Sequence, residues 1–436
     1  MLQPASALGS PCATALPAAG LPVALTEYLL GRAGDTATVS GYCYDPAVAA
    51  ERARSLRAAL PTWSTLLYAV KANSFRPVLT ALAGPGGVDG FEVASAAEAF
   101  SAAEVLRAAG RPTRLAAAGP AKTSLLLGEL LDAGVEVVHA ESPLELARLS
   151  QLAQERDQRI RVGLRVNPAR VAITGTLAMA GRPSPFGVPE TDVPEAIALA
   201  QRLPGLDLVG FHLHAVCGNR DAQAHARYVA WCLDWAVHTA TTHHVDLRWL
   251  DVGGGLGVAY GGQASLDLQL LGHELASLTP PDGVEVAFEP GRWLVADCGW
   301  YVADVVDVKT SGASTFVVVR GGIGGFALPA TEEFPFPFAV LPVTSWPAGL
   351  PRPEARNVAV TVVGELCTPE DALVRDVTVT RVRAGDLAVF PQAGAYGWEF
   401  ALQSFLGHPV ATRTVFDAPS TSTPTVPTAR ASEAAR

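Results

Sequence analysis

TLLYAVKAN (residues 65–73) is a short apolar run of β character that ends on two polar side chains, Lys71 and Asn73. Seven further runs repeat the design: GFEVAS (90–95), RLAAAG (114–119), VEVVHA (135–140), RIRVGLRVN (159–167), LVGFHLHAV (208–216), LRWLDVGGG (247–255) and VEVAFEPGR (284–292). Between them lie Ala-, Leu- and Arg-rich stretches with helical spacing, such as SAAEAFSAAEVLRAAG (95–110), PLELARLSQLAQER (143–156), DVPEAIALAQRL (192–203) and DAQAHARYVAWCLDWAVHTA (221–240). Eight strands, each followed by a helix or crossover, predict an α/β fold with a (β/α)8 TIM barrel. A doubly wound sheet is the rival arrangement, but no G-x-G-x-x-G turn follows the first run.

Beyond about residue 300 the texture changes. WYVADVVDVKT (300–310), STFVVVRGG (314–322), VAVTVVGELC (358–367) and DLAVFP (386–391) are β runs separated by Gly/Pro-rich turns. The expected organisation is an N-terminal extension over 1–35, partly disordered, and a barrel over 36–300 whose leading strand TATVSGYCY (36–44) joins the second domain. An all-β domain follows over 301–415, then a disordered Ser/Thr/Pro/Ala-rich tail over 416–436. The first forty residues show no strong periodicity.

Composition narrows the function. Hydrophobic residues make up 49% and charged ones 17% of the 436, which suits a sizeable core and excludes wholesale disorder. A net charge of -10 argues against grip on nucleic acid. No apolar run approaches the length of a membrane span, and the first twenty residues lack the basic and apolar regions of a secretory signal. The expectation is a soluble cytoplasmic protein with no membrane or nucleic-acid partner. The six cysteines (12, 43, 217, 232, 298 and 367) form neither a C-x-x-C pair nor a zinc spacing, so no disulfide framework or metal is expected. Cys12, Cys43, Cys232 and Cys298 read as small hydrophobes.

Only three lysines exist, Lys71, Lys122 and Lys309, so chemistry that needs a Schiff-base amine has three candidates. A barrel builds its active site at the carboxyl ends of its strands. There stand Lys71, Glu92, Arg165, Asn167, His212, His214, Gly253, Gly254, Gly255, Glu289, Gly291 and Arg292. A lysine on so apolar a strand is costly to bury unless it is neutralised or used covalently; the alternative is a strand-end lysine that snorkels to water. The set makes sense around pyridoxal 5'-phosphate. Lys71 would bind it covalently, while Gly253–Gly255, Gly291 and Arg292 would receive the phosphate. Glu289 would hold the pyridine nitrogen protonated, and His214 would stack on the ring. His212 reads equally well as a core or a catalytic histidine, and His243 and His244 as surface residues. Lys122 is expected at the site rim and Lys309 in the β-domain. Trp398 and Phe405 suit either the pocket or dimer packing.

YAVKAN (68–73), GFEVAS (90–95), FHLH (211–214), DVGGG (251–255), EPGR (289–292), GELC (364–367) with Asp371, and GAYG (394–397) occur in the same order in the alanine-racemase-fold pyridoxal-phosphate decarboxylases. The chain resembles that family, which acts on ornithine, arginine or meso-diaminopimelate, from about residue 40 to 415. The resemblance implies a homodimer with shared active sites, in which the Cys367 loop of one subunit completes the site of the other. It makes Lys71 the Schiff-base lysine, His214 the stacking residue, Glu289 the pyridinium partner, and Cys367 the proton donor after CO2 leaves. Gly253–Gly255, Arg292 and Tyr396 would lie around the phosphate.

Departures from the family pattern bear on the substrate. Cys217 stands where a phosphate-contacting Ser is usual, and Asn219 could compensate. Thr368 follows Cys367, and Arg320 stands on an early β-domain strand, where diamine-forming relatives carry acids. Replacing anions with a neutral and a cationic group disfavours a distal ammonium and favours a distal carboxylate. The alternative for Arg320 is solvent or a surface acid. Arg320, Thr368 and Asp371 are the candidate substrate-binding residues. Segments such as TLAMAGRPSPFGV (176–188), RGGIGGFALPA (320–330) and GELCTPEDAL (364–373) resemble the branch that decarboxylates citryl-diaminopropionate-type conjugates in siderophore biosynthesis. Diaminopimelate decarboxylase, a racemase and a non-catalytic pyridoxal-phosphate-binding homologue are the alternatives.

Overall fold

The computed structural model describes residues 14–33, 39–171, 173–261, 263–331 and 336–416. Of the tail expected to be disordered over 416–436, Phe416 is instead buried at 3% exposure, with its N–H on Tyr44 O; residues 417–436, the first part of the N-terminal extension and Cys12 lie outside the described residues.

Eight parallel strands close a barrel: Ser64–Ala69, Gly90–Val93, Leu115–Ala117, Val137–Ala140, Ile160–Asn167, Leu206–Leu213, Trp249–Asp251 and Glu285–Phe288, here the first to the eighth. Neighbours follow chain order. The ring closes where Val286 of the eighth strand pairs with Ser64 of the first. Every residue of the first strand is buried, which is why it reads as a continuous apolar run rather than an alternating one. The helices between strands start on caps visible in the sequence. Ser95 Oγ accepts from Glu98 N at 3.3 Å, and Asp221 Oδ1 accepts from Ala224 N at 2.9 Å.

The β-domain is one mixed sheet built on the 13-residue strand Gly299–Ser311. Its first part lies between Gly41–Tyr44 and Leu387–Phe390, both antiparallel to it. After a register shift between Val305 and Asp307 it pairs instead with Ser314–Val319. Gly41–Tyr44 is also flanked by Thr412–Val415, in parallel. Tyr42 packs on Tyr301, and Tyr44 on Phe75 with ring centroids 5.1 Å apart, so a continuous core joins sheet and barrel.

Several elements are absent from the sequence reading, among them the strand Ala372–Arg383 and the helix Val23–Arg32. That helix lays Leu25 and Leu29, one turn apart and fully buried, against Trp300, Val302 and Leu341. Each such side chain contributes about 2 kcal/mol. Among the described residues, no helix is long and apolar enough to cross a membrane.

Candidate active site

The first strand ends in a tight turn over Val70–Ala72 that lifts Lys71 out of the sheet. Lys71 Nζ donates to Glu92 Oε2 at 2.7 Å, from the end of the second strand. The lysine stem is half-exposed, while the Glu92 side chain is 1% exposed. Burial alone would lower the Lys71 pKa, but the charges of Glu92 and then Glu289 outweigh it and raise the value. Burial pushes the Glu92 carboxyl up to about 7 despite the ammonium beside it.

Glu289 follows the eighth strand and is 5% exposed. Its Oε2 lies 3.5 Å from His212 Nε2, and its Oε1 has no hydrogen-bond partner among the described residues. An unpaired buried carboxylate oxygen is costly, so it is an acceptor in need of a donor. Burial works against its ionisation, yet the His212 side chain holds the carboxyl well below the usual range.

The glycine loop takes its shape from two neighbours. Gly253, at φ +71°, would drive a Cβ to 2.3 Å from His214 Nδ1. Gly253 N donates to Asp251 Oδ1 at 2.8 Å and Gly254 N to His214 Nδ1 at 3.3 Å. The expected triple cradle is therefore reduced. Two of its amides orient Asp251 and His214, and the Gly255 N–H is the one left unbonded among the described residues. Cys217 Sγ is 3.5 Å from His214 Nε2, and burial raises its thiol pKa. Asn219 Nδ2 is engaged by Thr174 O at 2.7 Å.

Gly291 opens the short helix Arg292–Val295. The Arg292 guanidinium donates to Tyr260 Oη at 3.1 Å and lies 4.9 Å from the centre of the Tyr396 ring. Tyr396 sits at φ +55° and donates its N–H to Ala72 O at 2.7 Å, while Asn73 Nδ2 donates to Gly394 O at 2.7 Å. The GAYG segment is thus fastened to the turn that carries Lys71.

The remaining predicted residues lie on β-domain loops. Cys367 is exposed. Thr368 bonds to Glu370 within its own loop. Asp371 is 3% exposed and spends its oxygens on Ile323 N and Leu366 N, both at 2.7 Å, so it clamps the 321–325 loop to the Cys367 loop. Arg320 is exposed and lines a recess of about 110 Å³ with Gly321, Glu365 and His408. No acid pairs with its guanidinium among the described residues.

Lys122 departs from expectation. It is 1% exposed, not at the rim, and its ammonium is held by Glu145 at 3.0 Å, with Glu141 at 3.8 Å. Glu141 in turn pairs with Arg165 at 2.8 Å. The barrel can bury a lysine here because the charges neutralise one another. His139 and Asp251, both fully buried beside Glu289, are missed by sequence reasoning. The available signal was a lone polar residue in an otherwise apolar strand, in VVHA and WLD.

A lysine ammonium held by Glu92 and a buried carboxylate with an unpartnered oxygen, both at the strand ends of such a barrel, suit an enzyme that works with pyridoxal phosphate. Residues 48–296 match the pyridoxal binding domain of the pyridoxal-dependent decarboxylases. The chain is 33% identical over 378 residues to a Staphylococcus aureus 2-[(L-alanin-3-ylcarbamoyl)methyl]-2-hydroxybutanedioate decarboxylase, covering 85% of this chain and 92% of the relative. It is 29% identical to an Aquifex aeolicus diaminopimelate decarboxylase, covering 83% of each. The fold is shared with the crystal structure of Helicobacter pylori diaminopimelate decarboxylase complexed with L-lysine, at TM-score 0.74 and 23% identity over 88% of this chain and 92% of that one. This chain belongs to the pyridoxal-dependent decarboxylase family and is a carboxy-lyase that uses pyridoxal phosphate.

Proposed function

We propose that the protein removes the α-carboxylate of an amino acid that carries further carboxylates on a remote arm, of the kind in a citryl-diaminopropionate conjugate. The carrying observation is Arg320, whose guanidinium pairs with no acid among the described residues, in a recess shared with Glu365 and His408 and fit for one carboxylate arm rather than a whole ligand. Thr368 beside Cys367 adds no negative charge of its own. The similarity to the Staphylococcus aureus decarboxylase, whose named substrate is a tricarboxylate amino acid, supports the same substrate class. Diaminopimelate, with a distal ammonium next to its second carboxylate, fits this field less well.

The residues present fit pyridoxal phosphate: an amine in Lys71, a free buried acceptor in Glu289, and the Gly255 and Gly291 amides with Arg292 and Tyr396 for an anion. Bound there, the cofactor supplies an electron sink for the pair left at Cα when CO2 departs. Lys71 would hold it, with Glu92 keeping the amine in place. Glu289 would meet the ring nitrogen, and His214 the ring face. Cys217 would stand near the phosphate. Cys367 would return a proton to Cα.

The exposed position of Cys367 supports a homodimer in which each subunit lends this thiol to its partner. Leu402, Phe405, Leu406 and Val410, each about half-exposed, offer an apolar face next to the Arg320 recess. Mixing Lys71→Ala and Cys367→Ala proteins, each inactive alone, is expected to restore activity to about a quarter of wild type, because half of random dimers keep one intact site. No recovery after subunit exchange would place Lys71 and Cys367 of one site on one chain.

The deciding experiment is a mass-spectrometric turnover assay with citryl-diaminopropionate, meso-diaminopimelate, ornithine, arginine and lysine. Loss of CO2 from the polycarboxylate alone is the expected result; preferred turnover of diaminopimelate would overturn the reading. Arg320→Ala is expected to raise KM for the polycarboxylate about 10–100-fold with a smaller change in kcat. Unchanged kinetics would remove Arg320 from the substrate site.

A further inference from the structure

Below Lys71 the barrel interior is polar where branched apolar side chains are usual. His139, His212, Asp251 and Glu289 turn donor atoms to within 4.8 Å of one another, all at most 5% exposed. One hydrogen bond decides what this cluster is. Trp249 Nε1 donates to His139 Nε2 at 3.0 Å. An indole nitrogen can only donate, so His139 Nε2 points its lone pair at Trp249 and carries neither a proton nor a metal. Asp251 Oδ1 accepts from Gly253 N, but Oδ2 has no donor. Oδ2 faces that same His139 Nε2 at 3.7 Å, with the Glu289 carboxylate close by. Several acceptors buried this close together are stable only if one of them carries a proton. Glu289 has His212 at 3.5 Å and the positive charge of Lys71 above it, whereas Asp251 has no lysine or arginine in contact among the described residues.

We propose that Asp251 is a neutral carboxylic acid in the working protein, its Oδ2 proton directed at Glu289 and its Oδ1 anchoring the glycine loop through Gly253. Asp251 is then a positioning residue. It leaves the floor with a single negative charge, on Glu289, and ties that charge to the loop at the other end of the site. The titration behaviour agrees. Burial first, and then the charge of Glu289, raise the Asp251 carboxyl well above its usual range. That Glu289 serves the ring nitrogen rests on the proposed function above; the protonation of Asp251 stands apart from it.

Infrared difference spectroscopy on the holoenzyme tests this at neutral pH. The spectrum of wild type minus Asp251→Asn is expected to show the C=O stretch of a protonated carboxyl that shifts in D2O. Labelling the aspartates of wild type with 13C must shift the same band, a reading that needs no variant to fold. Asn can donate to Glu289 and accept from Gly253 at the same two points, so Asp251→Asn is expected to bind pyridoxal phosphate within about threefold of wild type. Asp251→Ala, which can do neither, should weaken binding about tenfold or more. Carboxylate bands alone, or an Asn variant as impaired as the Ala one, would overturn the proposal. Glu289→Gln separates the two readings: an unaltered cofactor absorption spectrum there removes Glu289 from the ring nitrogen, while the acid band of the wild-type protein still reports on Asp251.

Discussion

Lys71→Ala is expected to lower turnover by about 10⁴-fold or more and to abolish the visible absorption of covalently held cofactor. No other amine can substitute. Lys122 is buried against Glu141 and Glu145 in the loop after the third strand, and Lys309 is exposed on the β-domain strand. The variant also leaves Glu92 buried without its ammonium partner. Because that ammonium now opposes the rise of Glu92 to about 7, its loss sends the carboxyl higher still and leaves it neutral near pH 7. Absorbance titration with pyridoxal phosphate, followed by a single-turnover assay, checks both parts. Retained absorption in the variant would mean that Lys71 is not the covalent anchor.

Glu289→Gln is expected to cost about 10²–10³-fold in kcat, with KM changed only a few-fold. A carboxylate at this position favours a protonated ring nitrogen, and an amide does not. Oε1 is the atom proposed to meet the ring nitrogen, since it is buried and has no hydrogen-bond partner among the described residues, while Oε2 is turned to His212. Steady-state kinetics of the purified variant decide the matter. A fall in affinity with kcat preserved would make Glu289 a binding group and not an electronic one.

How far the sequence could be read depended on the kind of constraint. Barrel strands are buried on all sides, so runs such as STLLYA announce themselves, and the rule that chemistry gathers at strand ends brings Lys71, Glu92, His214 and Glu289 together before any coordinates exist. The roles of the glycine loop were less legible. Whether Gly253 N–H faces a ligand or the carboxylate two positions earlier depends on the turn it makes, not on its identity. Lys122 was misplaced because its neutralising partners, Glu141 and Glu145, come from a strand and helix later in the chain. The Val23–Arg32 helix escaped for another reason: it buries only Leu25 and Leu29, too narrow a stripe to stand out in an Ala/Pro-rich segment.

The position of Gly41–Tyr44 bears on how the chain is made. Both of its neighbours in the sheet arrive late, and Thr414 Oγ1 reaches Tyr42 O across 372 positions. The ribosome delivers all eight barrel strands before either neighbour, so the barrel can close while this strand still has two open edges. GYCY is fully buried in the finished sheet, and until Thr412–Val415 emerges it presents an aromatic edge to other nascent chains. Synthesis that stalls between the barrel and residue 412 therefore yields a closed barrel with an adhesive flank. Expression at lower temperature, or with a chaperone that shields such edges, should raise the soluble yield of the intact chain.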